Sequence, residues 1–487
     1  AGQALGQRQD LRHLPIVAID PIDARDFDDA VWATPRTDGG FDCIVAIADV
    51  SFYVRPGSRL DKEARKRGNS VYFPDRVVPM LPEQLSADVC SLRAGQDRAA
   101  LACHMAIDAD GNMESWRFSR AVIRVAANIP YEHAQAAIDG DRPHDLTESA
   151  LRPLWACWAA LKKARAKREP LDLDLPERRV VLDEDGRIQS VAPRERLDAH
   201  RLIEDYMIAA NVAAAKALES RKAPVMYRVH EQPSREKLVG LKDYLATFDI
   251  AFALGQVITP KTFNRIIGQL GEAEFRTEVM EQILRSQTQA YYSPQNAEHF
   301  GLSLGSYAHF TSPIRRYSDL IVHRSLVEAF NLGPDARHTA LTPEDAGRMV
   351  IIGEAISRCE RRAMEAERET VDRYVAAFLA MRVGDILETR ITGVTNFGFF
   401  ATVEGLGGDG LVPVSTLGAE HFTFDPAHMA LTGDETGDQY RIGQHIELRL
   451  VEANPISGAL RFELPEGANH LPMRGYRRDR GRRTPMG

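Results

Sequence analysis

Five aspartates crowd the stretch IDPIDARDFDDAV between Ile19 and Val31: Asp20, Asp23, Asp26, Asp28 and Asp29, with Arg25 as the only cation among them. Apolar segments flank it, LPIVA before and AVW after. Two like charges about 4 Å apart near a protein surface repel by roughly 4 kcal/mol. The cluster needs a counter-charge, one arginine is too little, and protonating several carboxylates at neutral pH is a poor alternative. A hard divalent cation, Mg²⁺ or Mn²⁺, is the natural partner for carboxylate oxygens and water. A calcium EF-hand loop fails on spacing: counted from Asp20, position 3 is Ile22, position 6 is Arg25 and position 12 is Val31, where a Glu is needed. A solvated acidic turn in a hairpin is the plainer alternative.

A second constellation is SYAHFTSPIRRYSDLIVHR, Ser306 to Arg324. Pro313 keeps Ser312 out of helical geometry, so SPIRR reads as a loop entering a helix over Tyr317–Leu326. Arg315 and Arg316 at that point can present guanidinium forks to a phosphate. The alternative is a structural ion pair with the acidic loop or with Asp319. His309 and His323 read as packing or capping histidines. Acids plus arginines suggest metal-assisted phosphoryl transfer, in which a metal activates water and an Arg neutralises developing charge. With no Walker A sequence and no G-x-G-x-x-G, hydrolysis of a phosphodiester is the better expectation.

The elements that must position these residues follow from texture. A chain of 487 residues supports more than one domain. No apolar run approaches the roughly 20 residues of a membrane span. The start, AGQALGQRQDLRH, lacks Met and an apolar leader and reads as part of something longer. Five scattered cysteines, with no C-x-x-C, argue for reduced thiols in the cytoplasm and against structural zinc. IVAI, DAVWAT, FDCIVAIADV and LACHMAID read as strands, and RRVVLDEDGRIQSV as a hairpin turning at Asp183–Gly186. LDAHRLIEDYMIAANVAAAKALES reads as a helix on Leu202, Tyr206, Ala209 and Ala213. A longer helix opens at Thr342–Asp345 and runs toward Gly384, with a break expected inside it. After Gly384, five strand-like segments fit a small OB-type barrel. We therefore expect an α+β catalytic domain over 1–381, a mixed sheet with surrounding helices, then an all-β OB-type barrel over 382–465. The Arg-rich tail 466–487 reads as basic and disordered.

IDPIDARDFDDAV, NSVYFPDRVVPMLPEQLSADVCSL, HRLIEDYMIAAN and HFTSPIRRYSDLIVHR, in this order and at these separations, resemble the catalytic domain of the ribonuclease II/ribonuclease R family. Residues 383–464 resemble the S1 RNA-binding domain that follows it there, and HFTSPIRRY with the Arg-rich tail points to the bacterial ribonuclease R branch. The resemblance implies a processive 3′→5′ exoribonuclease that releases nucleoside 5′-monophosphates with Mg²⁺, a monomer acting on single-stranded 3′ ends or on structured RNA. It puts the catalytic, metal-binding aspartates on Asp20, Asp26, Asp28 and Asp29, with Asp23 a bystander and Asp28 indispensable. It puts the phosphate-facing arginine on Arg315, a further catalytic residue on Glu367, the base-stacking aromatic on Tyr72 and a channel tyrosine on Tyr131. Arg316, Phe397, Phe399 and His421 are further expected RNA contacts, although alternate residues in NFGFF could equally be core.

The sequence also departs from the family's pattern. A second stacking aromatic common in relatives falls on Leu173 in PLDLDLPE, which implies one-sided stacking. Pro413 stands where S1 domains often carry His, and the family's N-terminal cold-shock domains are not in these residues. KKARAKRE and CERRAMEAERE offer cations for an RNA channel, or solvated helix faces. An RNA-binding scaffold without catalysis and a phosphodiesterase of small nucleotides are the rival functions.

Overall fold

The computed structural model describes residues 5, 7–175, 178–193, 195–273, 275–426 and 428–465; the expected disordered tail lies outside them. Two compact units result, one of 1–182 with 192–370 and one of 183–191 with the residues from Val371.

The first unit is built on a seven-stranded mixed sheet. Its strands are β1 (Gln9–Asp10), β2 (Val17–Asp20), β3 (Asp29–Pro35), β4 (Phe41–Ala48), β7 (Asp97–Ile107), β8 (Met113–Arg124) and β9 (Ala127–Pro130), ordered β1-β8-β7-β4-β3-β2-β9. A small hairpin, β5 (Val71–Tyr72) with β6 (Val77–Val78), stands apart from it. β1 runs parallel to β8 and β2 to β9, while the other neighbours are antiparallel. The near-continuous apolar runs CIVAIA of β4 and AALAC of β7 are buried, as a strand covered on both faces requires. Helix Arg152–Arg168 packs on β3, and helix Asp198–Ser220 on β4, β7 and β8. Leu202, Tyr206 and Ala213 of the latter are fully buried.

The long C-terminal helix breaks as expected. Thr342 caps Pro343–Gly347 by accepting the Asp345 N–H, and after Arg348 a new helix runs Met349–Leu379. In the second unit a closed barrel joins Ile386–Thr395, Gly398–Val403, Asp409–Pro413, Leu460–Glu463 and His445–Ala453. These are the five segments read from the sequence. A three-stranded sheet, Phe422–Asp425, Ala430–Gly433 and Gln439–Arg441, was not anticipated. No described helix is long and apolar enough to cross a membrane.

Candidate active site

Local strand geometry opens the acidic loop. β2 pairs with β3 only at Val17–Val31, then continues along β9 until Asp20 faces Pro130. The diverging ends leave room for 21–28, with Asp20 closing β2 and Asp29 opening β3. The loop is fastened from outside. Ser91 Oγ accepts the Phe27 N–H at 3.0 Å and donates to the Arg25 carbonyl at 2.8 Å. The Leu92 N–H reaches the Phe27 carbonyl, and Ala48 N–H the Asp28 carbonyl. Asp28 and Asp29 are buried, Asp26 is half-buried and Asp23 is exposed.

The SPIRR loop lies against this cluster, as Pro313 required, and leads into helix Tyr317–Phe330. The Ile314 N–H donates to Asp28 Oδ1 at 2.9 Å, and Arg315 Nε stands 3.4 Å from Asp28 Oδ2. Arg315 also donates to Ser312 Oγ at 3.0 Å, yet its side chain is 46% exposed, so the guanidinium still faces solvent. Arg316, the other arginine of the pair, forms the ion pair with Asp319 that the sequence left open as an alternative, and its side chain stays 24% exposed. Its fork closes on Asp319 at 3.0 and 2.8 Å, because a fully buried carboxylate needs a cation beside it. His323 bonds to the Phe310 carbonyl and His309 to the Tyr292 hydroxyl. Burial holds both imidazoles below their usual range, so they are neutral packing groups.

A third segment brings Tyr72. Gly68 caps helix Arg59–Arg67 at φ 76°, and a Cβ there would meet Cys359 Cβ at 2.6 Å, so only glycine fits. The chain then runs beside SPIRR: the Ser70 N–H reaches the Arg315 carbonyl and the Tyr317 N–H the Gly68 carbonyl. Tyr72, 40% exposed, donates its hydroxyl to Asp26 Oδ2 at 3.2 Å, and Glu367 accepts its backbone N–H at 2.7 Å. Tyr72, Arg315, Arg316, Asn69, Tyr292 and Glu360 are among the residues lining a cavity of about 130 Å³. Tyr131 follows Pro130, the neighbour of Asp20, and its ring stacks on His200 at 4.0 Å. Leu173 is half-buried on the segment after helix Arg152–Arg168.

Burial, then the charges of Asp29 and Asp28, push the Asp20 carboxyl well above its ordinary range. Burial does the same to Asp28, opposed by Arg315 and the Ile314 N–H. Burial lifts Asp29 to about 6 against Arg315 and Arg316. One oxygen of each, Oδ2 of Asp20, Asp28 and Asp29, is buried without a hydrogen-bond partner. Asp28 Oδ2 has the Arg315 guanidinium 3.4 Å away, whereas the orphaned oxygens of Asp20 and Asp29 have no such ion pair at hand among the described residues, and a hard cation would satisfy them. Among the described residues no three such side chains gather at ligand spacing. The donor set therefore suits a cation that takes one or two carboxylates and completes its shell with water and phosphate oxygens, as Mg²⁺ does.

Lys162 and Arg165 of KKARAKRE line a larger cleft of about 590 Å³, with Trp158, Arg196, Arg201 and Arg276. Arg165 is tied to Asp205 at 2.8 Å, while Lys162 sits over the Trp158 ring at 4.3 Å. In the barrel, Phe397 is 52% exposed and the His421 side chain 79% exposed, beside Asp434 at 2.8 Å. Phe399 takes the other reading that NFGFF left open, not the RNA contact: it is 0% exposed and stacks on Tyr440 in the core. Phe397 stands in the Asn396–Phe397 turn and Phe399 in the strand that opens at Gly398, so the alternation of a strand does not run through both. Sequence reasoning missed Ser91 and the Ile314 amide; no residue type marks a backbone donor, and nothing in VCSL flags its serine.

Residues 8–331 match the RNB domain family, and 381–460 the S1 RNA binding domain. Ribonuclease R of Vibrio parahaemolyticus is 40% identical over 95% of this chain, and Ribonuclease R of Escherichia coli K12 is 38% identical over 95%. The chain spans 57% and 58% of those relatives' lengths. The structure of Mycoplasma genitalium RNase R in complex with ribose-methylated single-stranded RNA superposes with a TM-score of 0.88 at 29% identity, covering 95% of this chain and 72% of that one. The chain thus belongs to the ribonuclease II/ribonuclease R family, an RNB domain joined to an S1 RNA binding domain.

Proposed function

We propose that this chain is a 3′→5′ exoribonuclease that processively hydrolyses RNA to nucleoside 5′-monophosphates, a cytoplasmic monomer with 1–381 as catalytic domain and 382–465 as S1 domain. One observation carries the reading. Three separate segments converge so that orphaned carboxylate oxygens, a solvent-facing Arg315 and an exposed Tyr72 share one site. One or two carboxylates of the Asp20, Asp26, Asp28 and Asp29 cluster would hold Mg²⁺, with water and phosphate oxygens completing its shell; when bound, the metal supplies charge neutralisation and a more acidic water. Tyr72 stacks on the terminal base, one-sided because Leu173 replaces a second ring. Glu367 holds the Tyr72 backbone and so sets where that base rests. Water attacks the last phosphorus, the bond from phosphorus to the penultimate O3′ breaks, and a proton goes to that O3′. The products are a 5′-monophosphate and an RNA shortened by one residue. Arg315, aimed across Asp28, neutralises charge that builds on the phosphate oxygens.

Lys162, Arg201 and Arg276, in a cleft that Glu169, Asp172, Asp174 and Asp205 also line, offer the strand phosphate contacts, and Phe397 and His421 offer S1 contacts. Incubation of 5′-labelled oligo-RNA with Mg²⁺ should give a ladder shrinking from the 3′ end, and none with EDTA. RNA that shifts on a gel but stays intact would favour a non-catalytic scaffold.

A further inference from the structure

We propose that Asp319 is the positioning residue that holds Arg315 and the Ile314 amide against Asp28. The proposal rests on the exoribonuclease reading above and concerns how that site is kept in register. Asp319 is completely buried, and its carboxylate bonds to Ser312, Arg316 and Ser318. It therefore acts on Asp28 and Arg315 through the turn between them. Oδ2 accepts the Ser312 N–H at 2.7 Å and Arg316 Nη2 at 2.8 Å. Oδ1 accepts Arg316 Nε at 3.0 Å and Ser318 Oγ at 2.7 Å. One carboxylate thus ties both ends of Ser312–Arg316, and the Arg315 and Arg316 amides close the turn on the Ser312 carbonyl.

The residues between those ends do the facing. Ile314 aims its N–H at Asp28, and Arg315 sits between Asp28 and Ser312 Oγ. The two arginines divide their labour: Arg315 faces the substrate, and Arg316 is a strut that lets Asp319 be buried as an anion. The helix below is anchored independently. Asp61 accepts the Tyr317 hydroxyl at 2.8 Å and pairs with Arg324 at 2.9 Å. Loss of Asp319 should loosen the turn without releasing the helix.

The test compares turnover, KM and thermal stability of Asp319→Asn with those of Arg316→Gln, Leu320→Ala, Arg315→Ala and Asp28→Asn, on oligo-RNA with Mg²⁺. Asp319→Asn puts an amide donor against donors, and Arg316→Gln removes the fork from the other side. Each should lower kcat about 10- to 100-fold, the order expected for misplacement near 1 Å. KM of Asp319→Asn should stay within about threefold, because Asp319 is completely buried behind the turn. Leu320→Ala, a cavity one residue along the same helix, should lower the unfolding temperature and keep kcat at 25 °C. A folded Asp319→Asn with kcat within twofold of the parent, while Asp28→Asn is dead, overturns the proposal. Should Asp319→Asn not fold, Arg316→Gln decides by the same criterion. If Arg315→Ala and Asp28→Asn are also fully active, the exoribonuclease reading itself has failed.

Discussion

Replacing Asp29 with Asn should destroy activity and stabilise the metal-free protein. Asp29 is 8% exposed, one of its oxygens has no hydrogen-bond partner, and burial lifts its carboxyl from the ordinary 3.8 to about 6. The folded state thus binds the proton more tightly than the unfolded chain. Its stability contribution is complete below pH 4 and is lost as pH rises through 6, the reverse of a salt-bridged aspartate. The loss amounts to about 3 kcal/mol at pH 7.5. Asn carries no charge to desolvate, so Asp29→Asn should recover most of it. For a unit of roughly 360 residues that is about 4 °C in unfolding temperature. Thermal unfolding in EDTA, followed by circular dichroism at pH 4 and 7.5, would read this directly. The gain should be present at pH 7.5, absent at pH 4, and smaller with saturating Mg²⁺, which compensates the native carboxylate. An unfolding temperature at pH 7.5 in EDTA equal to or below the parent's would refute the claim that the site stores uncompensated charge.

Other consequences are simpler. Tyr72→Ala should change the length of the final undegraded oligomer, since Tyr72 is proposed to hold the 3′-terminal base; an unchanged limit product on a sequencing gel counts against it. Phe397→Ala should weaken RNA binding by about 1–3 kcal/mol with the melting temperature unmoved. Phe399→Ala should destabilise the barrel by about 3–5 kcal/mol. Filter binding and calorimetry on the pair would expose a reversal of these roles.

What the sequence made legible follows the strength of local constraint. Pro313 dictated a loop before the helix, Thr342 and Pro343 marked a helix start, and five Gly-punctuated apolar segments became the barrel strands. The acidic stretch was recognisable because so much charge between apolar strands requires a cause. β8 was not named, because its charged residues mask it: Arg120 points inward to Asp49 at 3.0 Å, which no alternation rule foresees. The split between Arg315 and Arg316 was equally hidden, since two adjacent arginines look alike until Asp319, three residues on, claims one of them. Phe397 and Phe399 obeyed spacing but not geometry, because Phe397 lies in a turn and Phe399 in the strand that follows it. Backbone donors such as the Ile314 N–H carry no sequence signature at all.

The most direct test of the central claim is Asp28→Asn, measured on 5′-labelled single-stranded RNA with Mg²⁺ for both binding and single-turnover cleavage. Asp28 receives the Ile314 N–H and faces Arg315, so the variant should bind RNA within a few-fold of the parent, because binding rests on phosphate contacts and stacking, and release no monophosphate. Cleavage within a few-fold of the parent would contradict the assignment of this aspartate cluster as the site of hydrolysis.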